Sequence, residues 1–356
     1  MLKPIFLSEG FRMLRRRYSG EHKRFQGNAE EICSQIVEKC WNGKYFQTSQ
    51  GHFCEFYTRD FGWCTESLLK LGNKEKVRNT LKYALEKFKQ NNAITVAISP
   101  KGIPFDFPYY APDSLGYLIH SLALLKDKEI IKKYETFLNK EIERFQEMVI
   151  DENGIVRKDR KFSSMRDLSV RRSSCYDNCI VARLSKELKQ LKLENPFKEN
   201  YKKIIKENFW NGEYFYDDIQ HNKYITGDAN IAPFVFGVLD DKRILRIVIE
   251  TIRKEKLDRP LPLRYSNKNI GKFHWISNLA KKYETTTAWT HMGPMYIKLV
   301  KKVDRSLYQE YRSQYKDNIE HYGNYLEGFS EDGKIFKTLL YQADEGMLWA
   351  ANYLTL

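Results

Sequence analysis

Ala111-Pro112-Asp113-Ser114-Leu115-Gly116-Tyr117-Leu118-Ile119-His120-Ser121-Leu122-Ala123-Leu124-Leu125, with Lys128-Glu129-Ile130-Ile131-Lys132-Lys133-Tyr134-Glu135-Thr136-Phe137-Leu138 two residues later, is the stretch that decides the fold. The first half is apolar nearly all round, so a helix there is buried on every side. The second half carries Ile130, Tyr134, Phe137, Leu138 and Ile142 at helical spacing on a Lys- and Glu-rich background, so it faces outward on one side. The same contrast recurs along the chain. Ile231–Phe236 and Met347–Ala351 are apolar all round, whereas Val77, Leu81, Ala84, Leu85 and Phe88 form one stripe.

The periodicity predicts twelve helices near 27–40, 60–72, 74–91, 112–126, 128–148, 174–190, 195–208, 228–239, 240–255, 285–302, 304–321 and 338–354. Outer, amphipathic helices alternate with inner, apolar ones. Short turns lead from inner to outer, as at Leu71-Gly72-Asn73 and Leu239-Asp240-Asp241. Long loops lead back, near 41–59, 92–111, 149–173, 209–227, 256–284 and 322–337. The expectation is an all-α (α/α)6 toroid spanning 1–356 as one domain, with 1–26 as an N-terminal extension.

Six signals recur every 50–60 residues, each ahead of or opening an apolar run. They are Arg59-Asp60-Phe61, Pro112-Asp113-Ser114, Tyr176-Asp177-Asn178, Thr226-Gly227-Asp228, Trp289–Pro294 and Asp344-Glu345. The long loops share a second pattern. Trp41-Asn42-Gly43-Lys44-Tyr45-Phe46 returns as Trp210-Asn211-Gly212-Glu213-Tyr214-Phe215, with Tyr322–Glu327 a looser echo. Asn-Gly between aromatics is a tight-hairpin signal, so small β-hairpins should rim one pole. That pole collects aromatic planes and carboxyl groups, a combination suited to sugar rings.

Bulk composition narrows the classes. Lys and Arg number 60 against 46 Asp and Glu, a net charge of +14. The basic residues are mixed with acidic ones on candidate helices, apart from Arg15-Arg16-Arg17 and Arg171-Arg172. This reads as a solvated surface rather than a nucleic-acid footprint. No run approaches the ~20 apolar residues of a membrane span, and the first ten residues hold too short an apolar segment for a secretory leader. A cytoplasmic protein with no membrane partner is expected. The six cysteines lack metal-ligand spacing, Cys175-x3-Cys179 included, and are read as free thiols with no metal and no cofactor.

Glycoside cleavage needs two carboxyl groups flanking one bond, the acid with a raised pKa. Candidates at the pole are Asp60, Asp113, Asp177, Asp217, Asp218, Asp228, Glu327, Asp344 and Glu345. Asp113, Asp228 and Asp344 have a competing reading as helix N-caps. Asp177 sits among small and apolar residues, a setting that raises a carboxyl pKa. Glu327 lies in a loop where it can be wetter and stay ionised.

The order of these motifs resembles the six-hairpin glycosidases, in particular the alkaline/neutral invertases and the group of processing α-glucosidase and mannosylglycerate hydrolase. Tyr57-Thr58-Arg59-Asp60-Phe61 is similar to the invertase V-R-D-F-V-P-S-A-L, and Ala111–Tyr117 to A-P-V-D-S-G-L-W-W. Ser173–Arg183 resembles E-S-G-W-D-N-S-P-R-W, whose Asp is the general acid and falls on Asp177. Phe209–Asp217 is similar to L-W-(x)n-F-Y-Y-D, and Ala288–Tyr296 to Y-W-R-G-P-V-W. Leu326–Phe336 resembles E-Y-Y-(x)n-T-G, whose Glu is the general base and falls on Glu327. The resemblance covers about 40–355. His291 stands where those sequences have Arg, and the Pro-Arg-Trp after the acid is replaced by Cys179-Ile180-Val181-Ala182-Arg183.

The resemblance implies an inverting exo-glycosidase acting on a small α-glucoside or α-mannoside, with Asp177 as acid and Glu327 as base. Asp344 or Glu345 is the alternative base. Arg59, Asp60, Trp63, Asp113, Tyr176, Trp289, His291 and Tyr325 would hold the sugar. The competing classes are a sugar isomerase or epimerase pairing His291 with His274 or His321, a non-catalytic carbohydrate-binding toroid, and a basic nucleic-acid-binding helical repeat.

Overall fold

The computed structural model describes residues 4–269 and 271–356. Among the described residues there are thirteen α-helices: α1 (Pro4–Tyr18), α2 (Ala29–Cys40), α3 (Thr58–Lys70), α4 (Lys74–Asn91), α5 (Pro112–Leu125), α6 (Lys128–Val149), α7 (Cys175–Leu191), α8 (Tyr201–Phe209), α9 (Gly227–Val235), α10 (Lys242–Lys254), α11 (Met292–Val300), α12 (Arg305–Tyr322) and α13 (Ala350–Tyr353). α3, α5, α7, α9, α11 and α13 pack side by side, and α13 returns to α3, closing an inner ring. α2, α4, α6, α8, α10 and α12 form the outer layer, so the architecture is an (α/α)6 toroid. One core cluster runs from Phe25 to Tyr353. Among the described residues no helix is long and apolar enough to cross a membrane.

The sequence contrast maps onto the two layers. α5 is buried on all faces, whereas α4 and α6 bury only the stripes through Val77–Phe88 and Ile130–Val149. Termini differ too. Asn28, Asp127, Asn200, Asp241 and Asp304 cap five outer helices by accepting first-turn amides. Of the inner helices only α7 has a side-chain cap, from Ser174. The N-cap reading of Asp113, Asp228 and Asp344 is therefore not realised. Asp113 and Asp228 lie inside the first turns of α5 and α9, and Asp344 lies in a loop.

The Trp-Asn-Gly signals form hairpins. Trp41 bridges Phe46 and Trp210 bridges Phe215. In each, the Asn side-chain oxygen accepts the amides two and three residues on, at 2.9–3.0 Å, with the glycine at positive φ. The third echo does not form one, because Tyr322 ends α12 and Gly323 is its left-handed cap. Two small antiparallel sheets rim the same pole: β1 (Phe56–Tyr57), β2 (Ala97–Ile98) and β3 (Pro104–Phe105), and separately β4 (Ala288–Trp289) with β5 (Gly328–Phe329).

Several boundaries differ from expectation, the helix expected from 195 beginning at Tyr201 and the one expected to reach 239 ending at Val235 among them. The helix expected over 338–354 is only α13, because residues 338–349 are spent on hydrogen bonds to the neighbouring loops, such as Leu348 N to Thr48 O at 2.9 Å. The helix expected from 285 begins at Met292, its first residues being drawn into β4. The N-terminal extension is not featureless, since α1 lies across the rim. Arg12 pairs with Glu55, Arg16 with Glu345 at 3.1 Å, and Arg17 donates to Thr338 O at 2.6 Å.

Inner helices approach closely where glycine faces a neighbour. A Cβ on Gly62 of α3 would lie 2.5 Å from the Tyr117 Cβ of α5. That atom is fixed to the helix backbone and cannot swing away. Gly62→Ala should therefore destabilise the fold by about 1–3 kcal/mol despite alanine's better helix propensity. Denaturant unfolding measures it, and a stability equal to the parent would show that the ring is looser than drawn.

Candidate active site

A cavity of about 570 Å³ opens at the pole where the long loops emerge. Arg59, Asp60 and Trp63 reach it from the first two turns of α3, whose entry is set by β1. Trp289 and His291 come from β4 and the start of α11, Glu327 from the residue before β5, and Trp349 from the residue before α13.

The inner wall is aromatic. The His291 ring stacks on Trp63 with centroids 4.2 Å apart and planes 4° from parallel. Trp349 and Trp289 stand edge-on to it at 4.9 and 5.3 Å. Burial, and secondarily the Arg59 charge, hold the His291 pKa well below the ordinary imidazole value, so the ring is neutral. Both its nitrogens are buried without a hydrogen-bond partner in the protein. Trp349 Nε1 donates to Asp60 Oδ1 at 2.9 Å. Burial pushes Asp60 up to about 7, against the pull of Arg59.

Glu327 is the most firmly held carboxyl in the cavity. Tyr283 donates its hydroxyl to Oε1 at 2.5 Å, Tyr341 donates to Oε2 at 2.7 Å, and the Asp344 amide donates to Oε2 at 2.6 Å. The group is buried rather than wet, contrary to the sequence expectation, because Tyr283 and Tyr341 fold over it. Burial, then the Asp344 charge, push it up to about 7, and the hydrogen bonds moderate the rise. The alternative bases are committed elsewhere. Asp344 accepts the amides of His52 and Phe53 at 2.9 and 3.0 Å, and Glu345 pairs with Arg16.

Arg59 donates through Nε to Asp113 at 2.6 Å and through Nη2 to Asp167 at 2.8 Å. Asp167 is a cavity residue with its side chain one-third exposed. Glu284 also lines the cavity, and its oxygens accept the Leu168 amide at 2.9 and 3.0 Å. Burial, and then the neighbouring Asp167 charge, raise the Glu284 pKa, so it holds a proton more readily than an ordinary glutamate.

Of the ten residues singled out from sequence, the cavity wall includes Arg59, Asp60, Trp63, Trp289, His291 and Glu327. The other four lie behind it. Asp113 accepts from Arg59 and from Tyr176 Oη (3.2 Å), and burial lifts it to about 6. Tyr325 donates to Thr290 O at 2.8 Å. Asp177 Oδ2 accepts from Ser174 Oγ at 2.6 Å, and the Ser164 hydroxyl also acts on the carboxyl. Burial raises its pKa against the charge of Arg171. Deeper still, Arg166 and Arg171 pair with Asp217 and Asp228, a fully internal charge cluster. Asp167, Tyr283, Glu284 and Tyr341 are wall residues that the sequence reading passed over. Arg166-Asp167 repeats the pairing of Arg59-Asp60 and was the available signal for one of them. His274 and His321 are not on the wall, so His291 has no imidazole partner there among the described residues. No group of three or more potential metal ligands occurs among the described residues.

No family model and no curated protein matches the sequence. The fold is shared with solved glycosidases. A glycosidase solved as a Glu-to-Ala variant superposes with a TM-score of 0.66 over 99% of this chain and 97% of its own, at 9% identity. A mannosylglycerate hydrolase from Thermus thermophilus in complex with Tris gives 0.62 over 92% and 98%, at 10% identity. A rhamnosidase from Klebsiella oxytoca with rhamnose bound gives 0.64, at 10% identity, over 94% of this chain but 65% of its own length. The toroid is thus the six-hairpin glycosidase fold.

The raised Glu327 pKa has a stability consequence. Below about 4.5 the group is protonated in both the folded and the unfolded chain. As pH rises the unfolded chain releases the proton first, so this contribution to stability is lost up to and through pH 7. The unfolding free energy of the parent relative to Glu327→Gln should fall by about 2 kcal/mol between pH 5 and pH 8. Parallel stability curves for the two proteins would show that Glu327 titrates normally.

Proposed function

We propose that this protein is an inverting exo-glycoside hydrolase acting on a small α-glucoside or α-mannoside. The observation that carries the reading is Glu327, a cavity carboxyl held by two tyrosines and a backbone amide beside a floor of Trp63, His291, Trp289 and Trp349. Such a floor suits the apolar face of a sugar ring, and the open valences of His291, together with Asp60, suit its hydroxyls. Arg59 is the one Lys or Arg on the wall among the described residues, and it is already paired, which favours a neutral sugar. Free thiols at all six cysteines fit a cytoplasmic site of action.

In this reaction Glu327, ionised, takes a proton from water as the water attacks the anomeric carbon. The bond from that carbon to the leaving oxygen breaks, and a second carboxylic acid protonates that oxygen. We assign this second role to Glu284, because it reaches the cavity and burial favours its protonated form, with Asp167 beside it paired to Arg59. Asp177 is the competing donor, favoured by its raised pKa but set behind the wall. Among the described residues the cavity wall holds no second imidazole, which disfavours a sugar isomerase.

Glu327→Gln and Glu284→Gln should each lower turnover by about 10²–10⁴-fold while sugar binding persists. A loss of that size in Asp177→Asn with Glu284→Gln near normal would transfer the acid role to Asp177. Proton NMR of the first product should show the anomer opposite to the substrate's, and retention would end the inverting assignment. Near-normal activity in Glu327→Gln would remove the base altogether.

The hydrogen bond from Tyr341 favours the charged form of Glu327. Tyr341→Phe should therefore move the acid limb of the kcat/KM profile to higher pH. An unmoved limb would show that another group sets it.

A further inference from the structure

We infer that the group attached to the sugar is a hydrocarbon, alkyl, aryl or isoprenoid, rather than a second sugar; this deepens the glycosidase reading and rests on it for its turnover test. The cavity changes character along its depth. Its floor is polar and aromatic, as described above. Its mouth is walled by Phe11 and Leu14 of α1, Phe107, Leu168, Ile276 and Leu340. A second sugar in that position would need several hydroxyl partners, yet these walls offer hydrocarbon. The carboxyls at this level are already engaged, Glu9 by Tyr57 Oη at 2.7 Å and Asp167 by Arg59.

α1 strengthens the argument through the residues it leaves in solvent. Glu9 and Arg16 are buried on the rim. Phe11 and Tyr18, by contrast, are 68% and 64% exposed, and Leu14 40%. Tyr18 Oη donates to Leu339 O at 3.2 Å, and Leu339 is 75% exposed. Phe11, Leu14 and Leu340 line the cavity and are themselves exposed, so apolar surface reaches from the cavity mouth onto the outside of the rim. Helices normally bury such a face, and an exposed apolar patch marks a binding surface. Its continuity with the cavity identifies the occupant as the chain leaving the anomeric oxygen.

The test is a matched series of α-glucosides and α-mannosides carrying methyl, octyl, phenyl or glucosyl groups, assayed below the micelle concentration. Two buried methylenes suffice for about a tenfold gain, so octyl should exceed methyl and glucosyl by at least tenfold in kcat/KM, mainly through KM. Leu14→Asp and, on the opposite side of the mouth, Leu340→Asp should each collapse the octyl-to-methyl ratio toward one; either variant suffices if the other misfolds. A ratio near one in the parent, or preference for the glucosyl compounds, overturns the proposal. A glucolipid in bilayer vesicles, compared with dissolved octyl glucoside, separates a membrane-borne source from a soluble one, and turnover of either supports the class. If no glycoside is cleaved, the glycosidase reading fails separately. Calorimetric binding of octyl against methyl thioglucoside, neither cleavable, then decides. Tenfold tighter octyl binding that is lost in Leu340→Asp supports the apolar mouth, and equal binding refutes it.

Discussion

The site exists because a four-residue helix closes a ring. α13 is too short to be stable by itself, since an isolated helix needs about 12–15 residues. It is held from outside. Asn352 Oδ1 accepts Ser67 Oγ of α3 at 2.7 Å, Met347 N donates to Tyr325 O at 3.1 Å, and Trp349 Nε1 ties the last inner helix to Asp60 on the first. Each bond joins parts of the chain that are distant in sequence or loop-borne. Together they bring Trp349 and Glu327 to the same cavity as Asp60 and Trp63. Without this closure the cavity has an aromatic wall on one side only.

Within the ring, carboxyl groups are sorted by what surrounds them. Asp60 and Glu327 are dry and hydrogen-bonded by neutral donors, so they stay poised near neutrality. Asp217, in contrast, is held below the ordinary carboxylate value, the charges of Arg166 and Arg171 outweighing its burial. The first kind suits proton transfer and the second suits architecture. Burial is common to both, so the nature of the donor makes the difference.

The two layers and their order were legible in sequence because burial of a whole helix and burial of one stripe leave different patterns, as in 112–125 against 128–149. The Asn-Gly hairpins were legible because Asn42 and Asn211 act locally. The end of the ring was not, because residues 338–349 are apolar for packing but spend their backbone hydrogen bonds on other loops. The site was half legible, and the reason lies in the repeated acidic signals. Asp60, Asp113, Asp177 and Asp228 all occupy first turns of successive inner helices, where the helix dipole favours negative charge. That recurrence belongs to the toroid whether or not it catalyses anything. The carboxyls that reach the cavity from loops, Asp167, Glu284 and Glu327, follow no such series; Glu327 carried a motif, Asp167 only the repeated Arg-Asp pair, and Glu284 neither.

Ring closure also fixes when the pocket can first come into being. A ribosome that has made α1 through α11 has delivered Arg59, Asp60, Trp63, Asp167, Glu284 and His291, yet the wall still lacks Glu327, Tyr341 and Trp349. A nascent chain is therefore blind to its ligand until the segment beyond α12 emerges. Ligand cannot assist the earlier stages of folding, and a chain stalled before residue 349 is both unclosed and empty-handed, exposing its uncovered inner helices to whatever surveys unfinished proteins.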